Sequence, residues 1–234
     1  MSVNMLNFNK YEVLSFDCYG TIIDWESSIL FEIRKVLLTH NLSLSDIQIL
    51  ELYAKLESKA EEGEFHNYKT VLRTVMAEIR KEFGFRPNQQ ELNCLAESLE
   101  NWQPFSDTVE ALQVLKKKYK LAVVSNIDND LFLFSESHLQ VEFDLVITAE
   151  DVKSYKPSLN NFKHAINEIG APKEKILHVA QSIYHDIAPA KTLGLASVWV
   201  NRRHSKKGSG ATLPAQSKPD LEVFSLKDLT NVIG

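Results

Sequence analysis

Five short, almost uninterrupted apolar runs rich in β-formers punctuate the chain: residues 11–16 (YEVLSF), 121–125 (LAVVS), 143–148 (FDLVIT), 176–180 (ILHVA) and 196–200 (ASVWV). A strand with one solvated face alternates apolar and polar residues; a strand covered on both faces does not. Runs of this kind belong inside a sheet with helices on either side. Residues 220–224 (DLEVF) make a weaker sixth run. Helical patterns separate most of the runs. Residues 107–118 carry Val109, Leu112 and Leu115 at steps of three, with an acidic start and a basic end that suit the helix dipole. Residues 159–168 put Phe162, Ala165 and Ile166 on one face and stop at Gly170. Residues 186–193 begin at Asp186, hold Pro189 in the first turn and end at Gly194. Strand and helix in repeated alternation predict a doubly wound α/β fold with a parallel sheet.

One interval breaks the alternation. Between the first run and residue 107 there is no convincing strand, and residues 27–38, 45–62, 68–83 and 89–101 all read as amphipathic helices. Residues 23–99 are therefore expected to be a helical cap, inserted after the first strand into a core of residues 1–22 and 100–234. The alternative is that these helices simply cover one sheet face. The cap is preferred because the insertion leaves the carboxyl end of a strand, where open α/β sheets bind ligands. Residues 204–218 (HSKKGSGATLPAQSK) read as a flexible, solvated loop, with closure over a ligand as the second reading. The neighbouring Arg202, Arg203, Lys206 and Lys207 are read as part of it.

Composition narrows the function classes. The 234 residues carry 26 Lys and Arg against 31 Asp and Glu, a net charge of -5. No basic field is present to gather nucleic acid or an anionic membrane. No apolar run is long enough for a membrane span, and the N-terminus lacks the pattern of a signal peptide. Two cysteines, Cys18 and Cys94, make neither a disulfide framework nor a zinc cluster. These features point to a cytoplasmic protein. A homodimer through the inserted helices stays open.

The chemistry gathers at the strand ends. Asp17 follows the first run, and Gly20 and Thr21 turn the chain away. A carboxylate in such a turn can act as a nucleophile or merely cap the turn. The second run ends in Ser125-Asn126, Lys156 follows the third by eight residues, and the fourth leads into AQSIYHD and Asp186. Doubly wound folding puts these four ends on one rim. Asp17, Ser125, Lys156 and Asp186 are expected to share a site, with Tyr19, Thr21 and Asn126 beside them on the substrate side. His178 reads as a core histidine. His185 reads either as a ligand contact at the rim or as a helix cap.

In this order the motifs resemble those of the haloacid dehalogenase (HAD) superfamily hydrolases over nearly the whole chain. FDCYGTIIDW is similar to the first motif, VVSN to the second, YKP to the third and HVAQSIYHD to the fourth. The resemblance implies a Rossmann-like core and a covalent intermediate formed on Asp17 with a small anionic substrate. It also implies that Ser125 binds the anionic group and that Lys156 steadies negative charge. Asp186 would orient Lys156, bind a cation or help to position water. Phosphatases of the superfamily place a second Asp two residues after the nucleophile; Tyr19 stands there, and a phenol of ordinary pKa near 10 is a far weaker acid. The DxYGT pattern resembles the type II 2-haloacid dehalogenases instead. Their leaving halide needs no proton, and they need no cofactor. A magnesium-dependent phosphatase is the alternative, with Asp17 and Asp186 as ligands; Gln181 occupies the place of a further acid. A binding module on a degenerate scaffold is a third reading. The dehalogenase pattern also includes a cap Arg, absent around residues 52–55, where Lys55 supplies charge without the planar fork.

Overall fold

The computed structural model describes residues 6–234. Six strands, β1 (Val13–Phe16), β2 (Lys120–Ser125), β3 (Leu145–Thr148), β4 (Ile176–Ala180), β5 (Ala196–Val200) and β6 (Leu221–Val223), form one sheet. Their order is β3-β2-β1-β4-β5-β6, and every pair is parallel. This is the predicted α/β Rossmann-like sheet. β1 is its hinge: β2 lies on one side and β4 on the other, so successive crossovers run in opposite directions from it. Such a switch point opens a crevice at the carboxyl ends of the strands. All residues of β1 and β4 are buried, which is why those runs show no polar alternation.

Four helices follow β1 before the helix that leads into β2: α1 (Trp25–Thr39), α2 (Asp46–Ala60), α3 (Tyr68–Phe83) and α4 (Gln89–Ser98). They pack mainly on one another. Side-chain caps set their starts, including Asp24 for α1 and a reciprocal Ser45–Gln48 capping box for α2. α3 ends at Gly84, in the left-handed conformation that glycine adopts without steric cost. Polar contacts tie the bundle to the sheet edge. The Tyr68 and Lys69 amides donate to Asp128, and the Tyr155 hydroxyl donates to the His66 carbonyl.

The flanking helices are α5 (Thr108–Lys116), α6 (Asn129–Leu139), α7 (Ala149–Val152), α8 (Leu159–Ile169), α9 (Ala188–Thr192) and α10 (Leu226–Ile233). Three departures from expectation have physical causes. First, α6 escapes the periodic pattern because Leu133 and Phe134 are exposed while Leu131 and Phe132 are buried, so both faces read as apolar. Second, Asp186 does not start a helix. It lies inside one π-helical turn, Ile183–Ile187, closed by an Ile187 N–H to Ser182 carbonyl bond of 3.1 Å; turns of this class recur at functional sites. Third, the loop after β5 is solvated only in part: residues 204–208 are exposed, but residues 210–212 are buried. Its Ala211 and Thr212 are buried, and the Ala211 amide donates to Glu26 on α1. Arg203 pairs with Glu26. Arg202 pairs with Asp107 at 2.8 Å and donates to the Thr21 carbonyl, so Arg202 anchors the turn after β1 and Arg203 the start of α1.

Candidate active site

Asp17 leaves β1 at the switch point, and the chain turns at once. Gly20 has a φ of +92°, and a Cβ there would lie 2.8 Å from the Trp25 indole nitrogen. Both facts demand glycine. The turn places Thr21 so that its hydroxyl donates to Asp17 Oδ2 at 2.5 Å while accepting the Gln181 amide at 2.8 Å. β1 and β4 are thereby cross-linked at their carboxyl ends.

Lys156 comes from the segment after α7. Its side chain is 2% exposed. The ammonium donates to Asp17 Oδ1 (2.8 Å), Asp186 Oδ1 (2.7 Å) and the Val124 carbonyl (2.8 Å), which uses all three of its protons. Asp186 Oδ1 also meets His178 Nε2 at 3.0 Å, and His178 Nδ1 meets the Ser15 hydroxyl at 2.9 Å. With Asp186 ionised, Nε2–H donates to it and Nδ1 accepts from Ser15. The ring packs edge-on against Phe162. His178 is buried, but it is more than a packing residue, since it orients the carboxylate that grips Lys156.

Burial penalises every charge in this cluster. It pushes Asp17 above the ordinary carboxylate range, against the pull of the Lys156 ammonium. For Asp186 the ammonium and His178 outweigh burial and hold the carboxyl below that range. Lys156 would be lowered by burial, but the two carboxylates hold it above the ordinary lysine value, so it stays charged. Burial also lowers His185 to about 4, which leaves the imidazole neutral at pH 7.

A small cavity of about 20 Å³ lies over this cluster. Asp17, Lys156, Asp186, Tyr19, Ser125 and Asn126 all reach it, but Thr21 does not. The Ser125 hydroxyl and His185 Nε2 face it, buried and without a protein partner. Groups of this kind are poised for a ligand. The Asn126 amide is already committed: its Oδ1 accepts the Lys156 amide at 2.7 Å and its Nδ2 donates to the Lys156 carbonyl at 3.0 Å. Its geometry places the Lys156 backbone beside the cavity. The Tyr19 hydroxyl bonds to Ser135 at 2.8 Å, and burial raises its pKa further.

Three cavity groups escaped the sequence reading. Thr212 comes from the loop after β5. Glu57 and Tyr68 come from α2 and α3. Glu57 is buried, and its Oε1 accepts the hydroxyls of Tyr53 (2.8 Å) and Tyr68 (2.5 Å). A carboxylate among Tyr53, Ala54 and Leu56 on the packed face of α2 was the available signal. Lys55, by contrast, is exposed and does not reach the cavity.

Burial raises Glu57 from 4.5 to about 7, with the two phenols opposing. Its contribution to stability is therefore present below pH 4.5 and lost as pH rises through 7. Glu57→Gln is expected to raise the melting temperature at pH 8 and leave it unchanged near pH 4. Thermal unfolding at the two pH values checks this; an equal effect at both would refute it.

Magnesium needs a hard oxygen shell, commonly with one or two carboxylates. Here Thr21 and Lys156 occupy both oxygens of Asp17, and Lys156 and His178 occupy Asp186 Oδ1. Only Asp186 Oδ2 is left without a partner. Among the described residues no three His, Cys, Asp or Glu side chains cluster as a metal site. The donors, as arranged, do not suit the ion.

A parallel sheet with an aspartate at its switch point, a lysine bridging two carboxylates and helices inserted after the first strand define a class of hydrolase. The family model of the haloacid dehalogenase-like hydrolases matches residues 11–194, and the chain belongs to that family. It is 25% identical over 219 residues to an (S)-2-haloacid dehalogenase of Pseudomonas fluorescens, covering 92% of this chain and 93% of that protein. It is 26% identical over 149 residues to the Escherichia coli pyrimidine 5'-nucleotidase YjjG, 62% of each. The solved L-2-haloacid dehalogenase of Xanthobacter autotrophicus superposes with a TM-score of 0.79 at 19% identity, covering 95% of this chain and 98% of that one. At that identity the likeness concerns the fold.

Proposed function

We propose that the protein hydrolyses small 2-haloacids through an ester on Asp17, without a metal. The observation that carries this reading is the Lys156 ammonium clasped between Asp17 and Asp186. It supplies in permanent form the positive charge that the two acids need. In the first step an Asp17 oxygen attacks the carbon that bears the halogen. The carbon–oxygen bond forms, the carbon–halogen bond breaks, and halide leaves with the bonding pair. In the second step water adds to the Asp17 acyl carbon, releasing the hydroxyacid, a proton and the free carboxylate.

The remaining groups have matching tasks. The unpartnered Ser125 hydroxyl donates to the substrate carboxylate. The free Oδ2 of Asp186 accepts a hydrogen bond from the attacking water. Tyr19, bonded to Ser135, supplies no proton, and a halide requires none. Helices α1–α4 act as a cap that, with Thr212, shuts water out during displacement. Likeness over nearly the full length to (S)-2-haloacid dehalogenases supports the substrate class.

Halide release from 2-chloropropionate and phosphate release from 4-nitrophenyl phosphate should be measured side by side, with magnesium and with a chelator. Halide release that is indifferent to chelation is expected. Magnesium-stimulated phosphate release without halide release would defeat the reading.

A further inference from the structure

The wall contributed by the inserted helices carries the wrong charge for a passive halide pocket. Displacement at carbon sends the leaving atom away from the attacking Asp17 oxygen. Of the residues lining the cavity, Trp25, Glu57 and Tyr68 come from those helices, and none is a cation. Tyr53 and Tyr68 both aim their hydroxyl protons at Glu57 Oε1. The proton of a neutral carboxyl therefore sits on Oε2. The cavity is built to be filled, since Ser125 Oγ and His185 Nε2 face it buried and unpartnered.

We propose that neutral Glu57 serves the leaving group: its Oε2–H donates a hydrogen bond to the halide as negative charge develops there. The inference rests on the dehalogenase reading above and assigns its leaving-group donor. Halides that accept hydrogen bonds strongly gain most, so turnover of 2-fluoro and 2-chloro acids depends on this donor more than turnover of 2-bromo acids does. Once ionised, Glu57 repels the departing anion instead.

The groups that face Glu57 leave it the main candidate for a titration near neutrality. Tyr53 on α2, Tyr68 on α3 and Tyr155 after α7 are all pushed up by burial and stay neutral. Lys156 stays charged, and His185 stays neutral above about pH 5. Asp186 is held ionised by Lys156 and His178, and Asp17, pushed up by burial, gives an acid limb rather than an alkaline one, because its ionised form is the nucleophile. Glu61, one turn along α2, is also raised by burial, but it bonds to Asn126 and does not line the cavity. It is the control.

The test compares wild type, Glu57→Leu, Glu57→Gln and Glu61→Gln on 2-fluoro-, 2-chloro- and 2-bromopropionate by halide release. Leu removes the donor, and its kcat/KM should fall about tenfold on the fluoro acid but about threefold or less on the bromo acid. Gln keeps a donor at the Oε2 position and should recover most of that loss. Wild type and Glu61→Gln should lose activity above about pH 7, and Glu57→Gln should not. An equal loss on all three halides, or an alkaline limb that survives in Glu57→Gln, overturns the role while leaving the dehalogenase reading intact. No halide from any substrate with the wild type overturns both.

Discussion

Asp17→Asn is expected to abolish turnover, by roughly 10⁴-fold or more, as removal of a nucleophile does elsewhere. The amide is no nucleophile, so the ester cannot form. The fold should survive. Asn has the same shape, its oxygen still accepts from Lys156, and one buried negative charge disappears from a cluster of two carboxylates and one ammonium. A melting temperature within a few degrees of the wild type, together with lost halide release, is the predicted pair of results. A single wild-type turnover in heavy-oxygen water should leave the label in the peptide that contains Asp17, because water adds at the acyl carbon. Turnover retained in the variant, or label absent from that peptide, would remove Asp17 from its role.

Lys156→Met has the second large effect, and here stability falls with activity. The variant keeps the volume but leaves Asp17 and Asp186 buried without their shared cation. Breaking a buried pair costs about 3–5 kcal/mol, which corresponds to a fall in melting temperature of about 10 °C for a chain of this length. The cost depends on pH with a definite sign. Without the ammonium the folded carboxyl pKa values rise above their unfolded values, so stability is kept in acid and lost as pH increases. Unfolding at pH 8 should therefore reveal a larger deficit than unfolding at pH 4. Adding Asp186→Asn to Lys156→Met should return part of the loss at pH 8, since it removes one of the stranded charges. A deficit independent of pH, or no recovery in the double variant, would mean that Lys156 is held for packing alone.

Much of this site was legible because its parts lie where local sequence carries information. Buried strands show as apolar runs, and residues 176–180 and 196–200 coincide with β4 and β5. The helix α3 covers the same residues that its periodicity marked, 68–83, since it has one polar and one apolar face. Asp17, Ser125, Lys156 and Asp186 follow strand ends, and parallel winding brings such ends together. The groups that escaped have ambiguous local signals. His178 lies in an apolar run, and its two hydrogen bonds reach Ser15 and Asp186 on separate segments. Arg202 and Arg203 looked like loop cations because Asp107 and Glu26, their partners, are 95 and 177 residues away in the chain.

Residue order alone determined a helix-covered parallel sheet, an insertion after its first strand and an aspartate at the switch point. Those features follow from periodicity and winding, which are properties of short stretches and their succession. Only the tertiary structure decided that an ammonium fills the space between the two acids, that Asn126 holds the Lys156 backbone, and that a carboxyl from α2 lines the cavity. Each depends on which atoms of distant segments come within about 3 Å of one another, the range of a hydrogen bond, and distance along the chain does not encode that.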